Sequence, residues 1–476
     1  MCGFVGLIGV PQASRALAMA LQAVQHRGQD AAGVGTWNDG FLSIYKDVGM
    51  VGKVLRGPVL EGLGGTSGIG HVRYPTAGGS IRGDAQPFMT RRPSIILAHN
   101  GNVTNVPQIE AELLARGLRT TSHCDSEPIL LALGDEMMKI RVHQHTQADM
   151  AVAIREVLRR VRGSYSVAAI MEVDGQETLV AFRDPHGIRP ASYGRNSEGA
   201  WLVCSETVSL DVLDFEFVGH VPPGSMMIFR PGQEPITKLL SPKPLKHCVF
   251  EDIYFARPDS MMETGRVYAS RRAFGVKLAE EWQAKGFGAD VVVAVPDTSR
   301  PAAQAMAEAM GVPYEEGFIK NRYSGRTFIM PDQTTREAAM RLKLNPIPEI
   351  FTNRRVVLVD DSIVRGTTMR RIVQMVRKLN PSELHVAIFS PAVRHPCFYG
   401  IDMPTKAELV AGGFEDGALE AHLAERFGAN SVSFLSRKGL VEVAGSNICA
   451  ACFTGDYPVA ISADERGHIA SDRRDL

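Results

Sequence analysis

The stretch RRVVLVDDSIVRGTTMRRI, residues 354–372, constrains this chain more than any other. Its apolar run VVLV does not alternate with polar residues, so the strand it forms is covered on both faces, as in a parallel sheet flanked by helices. Two acids close the strand, Gly366 opens a loop, and TTMRRI begins a helix. The backbone N–H groups of such a loop, the Thr367 and Thr368 hydroxyls and the helix N-terminus suit a phosphate monoester. Asp360 and Asp361 at the strand end suit ribose hydroxyls or a hydrated Mg²⁺. The pattern GxxxxGK[ST] is absent, which favours a sugar phosphate over a nucleoside triphosphate.

The surrounding sequence repeats this grammar. ADVVVAVPD is another fully apolar strand, and SRPAAQAMAEAMG and TMRRIVQMVRKL read as the connecting helices, so the second half is expected to be α/β with a parallel sheet. Residues 1 to about 235 differ: short apolar strands such as FVGLIG, SGIGHVRY, SIILAHNG and SYSVAAIM are broken by glycine. Helices are expected there near 14–25, 105–116, 128–140 and 147–162. At 476 residues the chain is too long for one core, and the Pro/Gly-punctuated FVGHVPPGSMMIFRPGQEP closes the first half. The expected domains are 2–240 and 241–476.

Lys plus Arg and Asp plus Glu both number 52, so no net field draws the chain to nucleic acid or an anionic membrane, and neither is an expected partner. No apolar run approaches the roughly 20 residues of a membrane helix, and no basic region followed by an apolar core and cleavage site opens the sequence. A cytoplasmic protein is expected. Its seven cysteines, an odd number without an export signal, argue against a disulfide framework and leave catalysis or a metal site.

Cys2 becomes the amino terminus once Met1 is removed, a step favoured when the next side chain is small. An α-amine with a pKa of about 8 can then take the proton of a thiol with a pKa of about 8.5, which makes Cys2 a self-contained acyl-transfer nucleophile. Attack on an amide develops an oxyanion, for which the Asn100 side-chain amide and the Gly101 N–H would be donors. Arg73 would hold a substrate carboxylate and Asp125 an α-ammonium, which together select a free amino acid such as glutamine. Each residue also has a plainer role: Asn-Gly as a hairpin turn, Asp125 or Ser126 as a helix cap, Arg73 as half of an ion pair.

Together, CGFVG, HRGQ, HVRYPTAG, HNGN and CDSE resemble the N-terminal-nucleophile glutaminase domain of the class II glutamine amidotransferases, which implies an α+β, four-layer αββα fold. VVLVDDSIVRGTT resembles the phosphoribosyl-pyrophosphate (PRPP) motif of type I phosphoribosyltransferases. That likeness implies PRPP contacts at Asp360, Asp361, Ser362, Ile363, Val364, Arg365, Gly366, Thr367 and Thr368. The stretches VVVAVPDTSRPAA and GFIKNRYSGRTFIMPDQ resemble segments of the glutamine PRPP amidotransferase family. By that resemblance Thr298 joins Asp360 and Asp361 at Mg²⁺, and a lid over PRPP carries Lys320, Arg322, Tyr323 and Arg326.

Cys449 and Cys452 form a C-x-x-C pair, with Cys397 in RHPCFYGID and Cys248 in KHCVFEDIYFARPDS. If the four converge, sulfur ligation fits a structural zinc or an iron–sulfur cluster. The flanking stretches resemble the branch of this family that carries a [4Fe-4S] cluster. That branch has a short propeptide before the catalytic cysteine, where this sequence has Met1 alone. The resemblance further implies a homotetramer making 5-phosphoribosylamine from PRPP and glutamine, inhibited by purine nucleotides. Another class II amidotransferase would lack VVLVDDSIVRGTT, and a non-catalytic PRPP sensor would have no use for Cys2.

Overall fold

A computed structural model of the chain describes residues 2–74, 81–321, 344–403, 405–414 and 416–472. The first half is built on two antiparallel sheets. The seven-stranded sheet runs in the order Glu216–His220, Ser192–Arg195, Trp201–Cys204, Gly3–Ile8, Ser67–Arg73, Ala31–Asn38 and Phe41–Val48. The six-stranded sheet runs Ile236–Leu239, Ser225–Phe229, Gln176–Arg183, Gly163–Val173, Ser94–Val103 and Phe88–Arg91.

Strand pleating explains the layers. Phe4, Ile8 and Ile69 of the first sheet meet Ile96, Ala98, Ala168 and Leu179 of the second in one buried core. The intervening residues Val5, Leu7 and Val72 turn the other way and pack under the helix Ala13–Ala23 through Leu17 and Leu21. On the far side, Ile95, Leu97 and Val167 lie under the helices Ser126–Ile140 and Gln147–Arg160. Helix, sheet, sheet, helix is the expected four-layer αββα arrangement. The expected helices form at Ala13–Ala23, Val106–Leu114, Ser126–Ile140 and Gln147–Arg160, the last opened by a Thr146/Asp149 capping box.

The second half carries a five-stranded parallel sheet, ordered Tyr314–Glu315, Val291–Ala294, Arg355–Asp360, Glu383–Ile388 and Ser431–Phe434. Its apolar runs are covered on both faces. Val357 and Val359 pack with Phe274, Leu278 and Ala302, while Val356 and Leu358 pack with Met369, Ile372 and Leu423. The uninterrupted VVLV run therefore serves two cores, and its carboxyl end emerges at Asp360.

Candidate functional site

In the first half, Cys2 precedes the strand Gly3–Ile8, and Gly3 pairs with Val72 next to Arg73. Phe4 and Ile8 face the inter-sheet core, as do Ile69, Ile96 and Ala98. By the two-residue pleat, Cys2, Arg73 and Asn100 share that face at one end of the layer. Cys2 is buried, and its Sγ stands 3.5 Å from the carbonyl oxygen of Tyr74. Asn100 is fully buried, and among the described residues neither its Oδ1 nor its Nδ2 has a hydrogen-bond partner. Asn100 and Gly101 lie inside the strand Ser94–Val103, opposite Ser166 and Tyr165, so the pair is not a hairpin turn.

Asp125 sits at the start of the helix Ser126–Ile140 but its side chain does not cap it. Its Oδ2 accepts the Val103 N–H at 2.9 Å and lies 3.6 Å from His99 Nε2, which ties it to the Asn100 strand. His99 Nδ1 pairs with Ser126 Oγ at 2.6 Å. Burial, reinforced by His99 and Arg73, keeps His71 neutral well below the usual imidazole range. Burial and the Asp125 charge raise the Cys124 thiol to about 11, so Cys124 is no rival nucleophile.

Arg27, in HRGQ, was not singled out by its sequence. Its Nε donates to the Cys2 carbonyl at 3.0 Å, Nη1 to Glu206 and Nη2 to Glu251 at 2.8 Å. All three side chains are fully buried. Glu206 also accepts from His26, the Arg257 N–H and the Ser260 hydroxyl. Burial alone would push the Glu206 carboxyl up, but His26 and Arg27 hold it far below the carboxylate range.

In the second half, Asp360 ends its strand and Gly366, at φ +75°, opens the helix Thr367–Arg377. That left-handed conformation suits glycine and frees the first-turn N–H groups beside the exposed Thr367 and Thr368. Between them Ile363 is buried, the Val364 carbonyl accepts the Val410 N–H, and exposed Arg365 pairs with Glu408 at 3.1 Å. Burial raises both Asp360 and Asp361, and each is partly relieved: Asp360 by Ser299 Oγ at 3.0 Å, Asp361 by Ser362 Oγ at 2.6 Å. Half-buried Asp360 and buried Asp361, neighbouring acids that resist ionisation, are a donor set for a divalent cation. The turn before the helix Arg300–Met310 reaches Asp360 through Ser299, not through half-buried Thr298. Lys320 Nζ pairs with Asp297 in the same turn. Arg322, Tyr323 and Arg326 lie outside the described residues.

The four second-half cysteines come together. Cys248 and Cys449 are register partners in a two-stranded parallel pair, and Cys397 and Cys452 line the same cavity as they do. Ile188, Phe250, Tyr399 and Ile401 supply apolar wall. Burial raises the Cys248 thiol to about 12 against the pull of Arg189. Among the described residues, no group of three or more His, Cys, Asp or Glu closes on a point in the manner of a single-ion site.

A model of the glutamine amidotransferase domain matches residues 73–212, and a model of the phosphoribosyl transferase domain matches 271–396. Fold and sites thus define the class: a glutamine amidotransferase fused to a phosphoribosyltransferase. The chain is 39% identical to the amidophosphoribosyltransferase of Synechococcus elongatus, over 97% of this chain and 92% of that one. To the same enzyme of Methanocaldococcus jannaschii it is also 39% identical, over 98% and 99%. The chain belongs to the amidophosphoribosyltransferase family. It superposes on the glutamine PRPP amidotransferase of B. subtilis complexed with ADP and GMP with a TM-score of 0.86 at 37% identity, covering 97% of this chain and 98% of that one. A structure described as the allosteric regulatory enzyme of purine biosynthesis gives 0.87 at 37% identity, covering 98% and 97%.

Proposed function

We propose that this enzyme converts PRPP, glutamine and water to 5-phosphoribosylamine, glutamate and pyrophosphate, the first step of purine synthesis. The observation that carries the first half-reaction is Asn100, whose buried amide, at the Cys2 end of the inter-sheet layer, lacks partners at both polar atoms among the described residues. An unpaired buried amide is costly unless a ligand completes it. With Met1 removed, the Cys2 amine takes the thiol proton and the thiolate attacks the glutamine amide. Asn100 Nδ2 and the Gly101 N–H hold the oxyanion, the amine returns the proton to departing ammonia, and water hydrolyses the thioester. Arg73 and Asp125 hold the α-carboxylate and α-ammonium of glutamine.

Ammonia then meets C1 of PRPP and displaces pyrophosphate. The Ser362–Gly366 loop with Thr367 and Thr368 cradles the 5-phosphate, and Lys320, Arg322, Tyr323 and Arg326 cover the pyrophosphate. The acid pair at the strand end fits Mg²⁺, which Asp360, Asp361 and Thr298 would hold and which would neutralise pyrophosphate charge. The boundary at residue 240 falls just after the strand Ile236–Leu239, the last of the six-stranded sheet.

The cysteine cavity fits a cluster better than a lone ion. A single zinc draws its sulfurs to about 2.3 Å from one centre. Here Cys248, Cys397, Cys449 and Cys452 surround a space instead, which supports a [4Fe-4S] cluster as a cross-link between three chain segments. The ADP and GMP on the B. subtilis relative support purine nucleotides as inhibitors. We place the enzyme in the cytoplasm as a homotetramer; among the described residues no helix is long and apolar enough to cross a membrane.

The test is Cys2→Ala assayed for phosphoribosylamine. Glutamine-dependent synthesis is expected to vanish while ammonia-dependent synthesis persists, and unchanged use of glutamine would refute the reading.

A further inference from the structure

The segment Cys397–Asp402 of the second half lies directly against the strand carrying Asn100 and Gly101. Asn102 Nδ2 donates to the Phe398 carbonyl at 3.0 Å. The Tyr399 carbonyl accepts Ser164 Oγ at 2.8 Å from the neighbouring strand, and Arg189 Nε at 2.6 Å. Asn102, Ser164, Arg189 and Tyr399 are all buried, so water does not compete for these bonds. At Gly400, with φ +98°, an added Cβ would stand 2.9 Å from the Gly101 carbonyl oxygen. Further along, Asp402 Oδ2 accepts Tyr74 Oη at 2.9 Å, and Tyr74 is the residue whose carbonyl faces the Cys2 thiol.

We propose that the Cys397–Asp402 segment is a positioning element of the glutaminase: it seats the Asn100–Asn102 stretch of the strand, so that glutamine turnover depends on how a loop of the other catalytic half is held. The segment begins at Cys397, whose side chain lines the cysteine cavity. It ends at Asp402 beside Tyr74. One short loop therefore spans the distance between the cavity and both walls of the thiol site. The inference rests on the reading of Asn100 and Gly101 as oxyanion donors.

The chemistry sets what a disturbance must look like. Donors to an oxyanion act on the transition state, so misplacing them lowers kcat and leaves glutamine binding alone. A shift of the donor strand by a fraction of an ångström acts on the same geometry that gives an oxyanion site its effect. Chemistry at PRPP does not pass through this strand, so synthesis from ammonia is untouched.

Two substitutions probe the loop from opposite sides. Gly400→Ala pushes a methyl group toward the Gly101 peptide, and Asn102→Ala removes the bond to Phe398 without adding bulk. For Gly400→Ala, kcat with glutamine is expected to fall about tenfold or more. For Asn102→Ala, a fall of several-fold is expected, as for loss of one buried hydrogen bond. In both, the KM for glutamine stays within about twofold and ammonia-dependent synthesis keeps the wild-type rate. An unchanged kcat in both variants, or a parallel loss of the ammonia-dependent rate, overturns the proposal. If Gly400→Ala does not fold, Asn102→Ala decides alone. Asn100→Ala, run alongside, separates the two ideas: if it leaves glutamine turnover intact, the oxyanion reading itself fails, and if it abolishes turnover while both loop variants behave as wild type, only the positioning role fails.

Discussion

Arg27 Nε donates to the Cys2 carbonyl at 3.0 Å while its two terminal nitrogens reach Glu206 and Glu251. One guanidinium thus ties the nucleophile's own backbone to an acid of the first half and an acid of the second. Replacing Arg27 with Met leaves two buried carboxylates short of a cation, a loss of about 3–5 kcal/mol. Urea unfolding should show a lower midpoint. Arg27→Lys keeps the charge, but a single ammonium cannot span the three acceptors, so an intermediate midpoint is expected. A wild-type midpoint in the Met variant would contradict this account.

Gly101→Ala tests whether the oxyanion strand tolerates any side chain. A Cβ there would lie 2.0 Å from the Ser164 carbonyl oxygen and 2.8 Å from Tyr165 Cα, both backbone atoms of the paired strand. Backbone cannot swing aside as a rotamer does, so the two strands must part. Alanine keeps the N–H, and if that donor alone mattered turnover would be normal. Glutamine turnover is instead expected to fall by about 100-fold or more, the scale of losing an oxyanion donor, in steady-state assays.

What could be read from the chain was local. The VVLV run followed by acids and glycine marks a strand end because strand burial and helix starts leave their imprint within a few residues. The alternation of Phe4 and Ile8 against Val5 and Leu7 carries the layer assignment in the same way. The ion pairs were not legible, since Arg27 finds partners 179 and 224 residues away. Asp125 shows the same limit from the other side. Its place before a helix suggests a cap, but the fold brings the Val103 N–H to its carboxylate instead. Cysteine spacing likewise gave no shared location until Cys248 and Cys449 paired in parallel register.

The cavity makes the four cysteines interdependent. Protein purified without oxygen is expected to be brown and to contain iron and sulfide. Cys449→Ser or Cys397→Ser should each abolish the visible absorbance, because each thiol comes from a different chain segment around one space. Colourless wild-type protein with stoichiometric zinc would overturn the cluster.

Acid should unfasten the contact between Arg183 and Glu263, which joins a first-half strand to the second half at 2.6 Å. Burial by itself would raise the Glu263 carboxyl, but the Arg183 guanidinium, with His220 and His247, holds it at about 2 from an ordinary 4.5. A carboxyl lowered in the folded state stabilises the fold above its unfolded value, and that contribution is lost as pH drops through 4.5 toward about 2. The lowering corresponds to roughly 3 kcal/mol at neutral pH. In Glu263→Gln the carboxyl cannot titrate, so its stability lacks this acid-dependent component. Denaturant midpoints taken at intervals from pH 7 downward should therefore show wild type well above the variant at neutral pH and the gap closing below about pH 4.5. A gap that stays constant with pH would mean that Glu263 does not carry its charge in the folded protein, and the paired Arg183 would then need another acid.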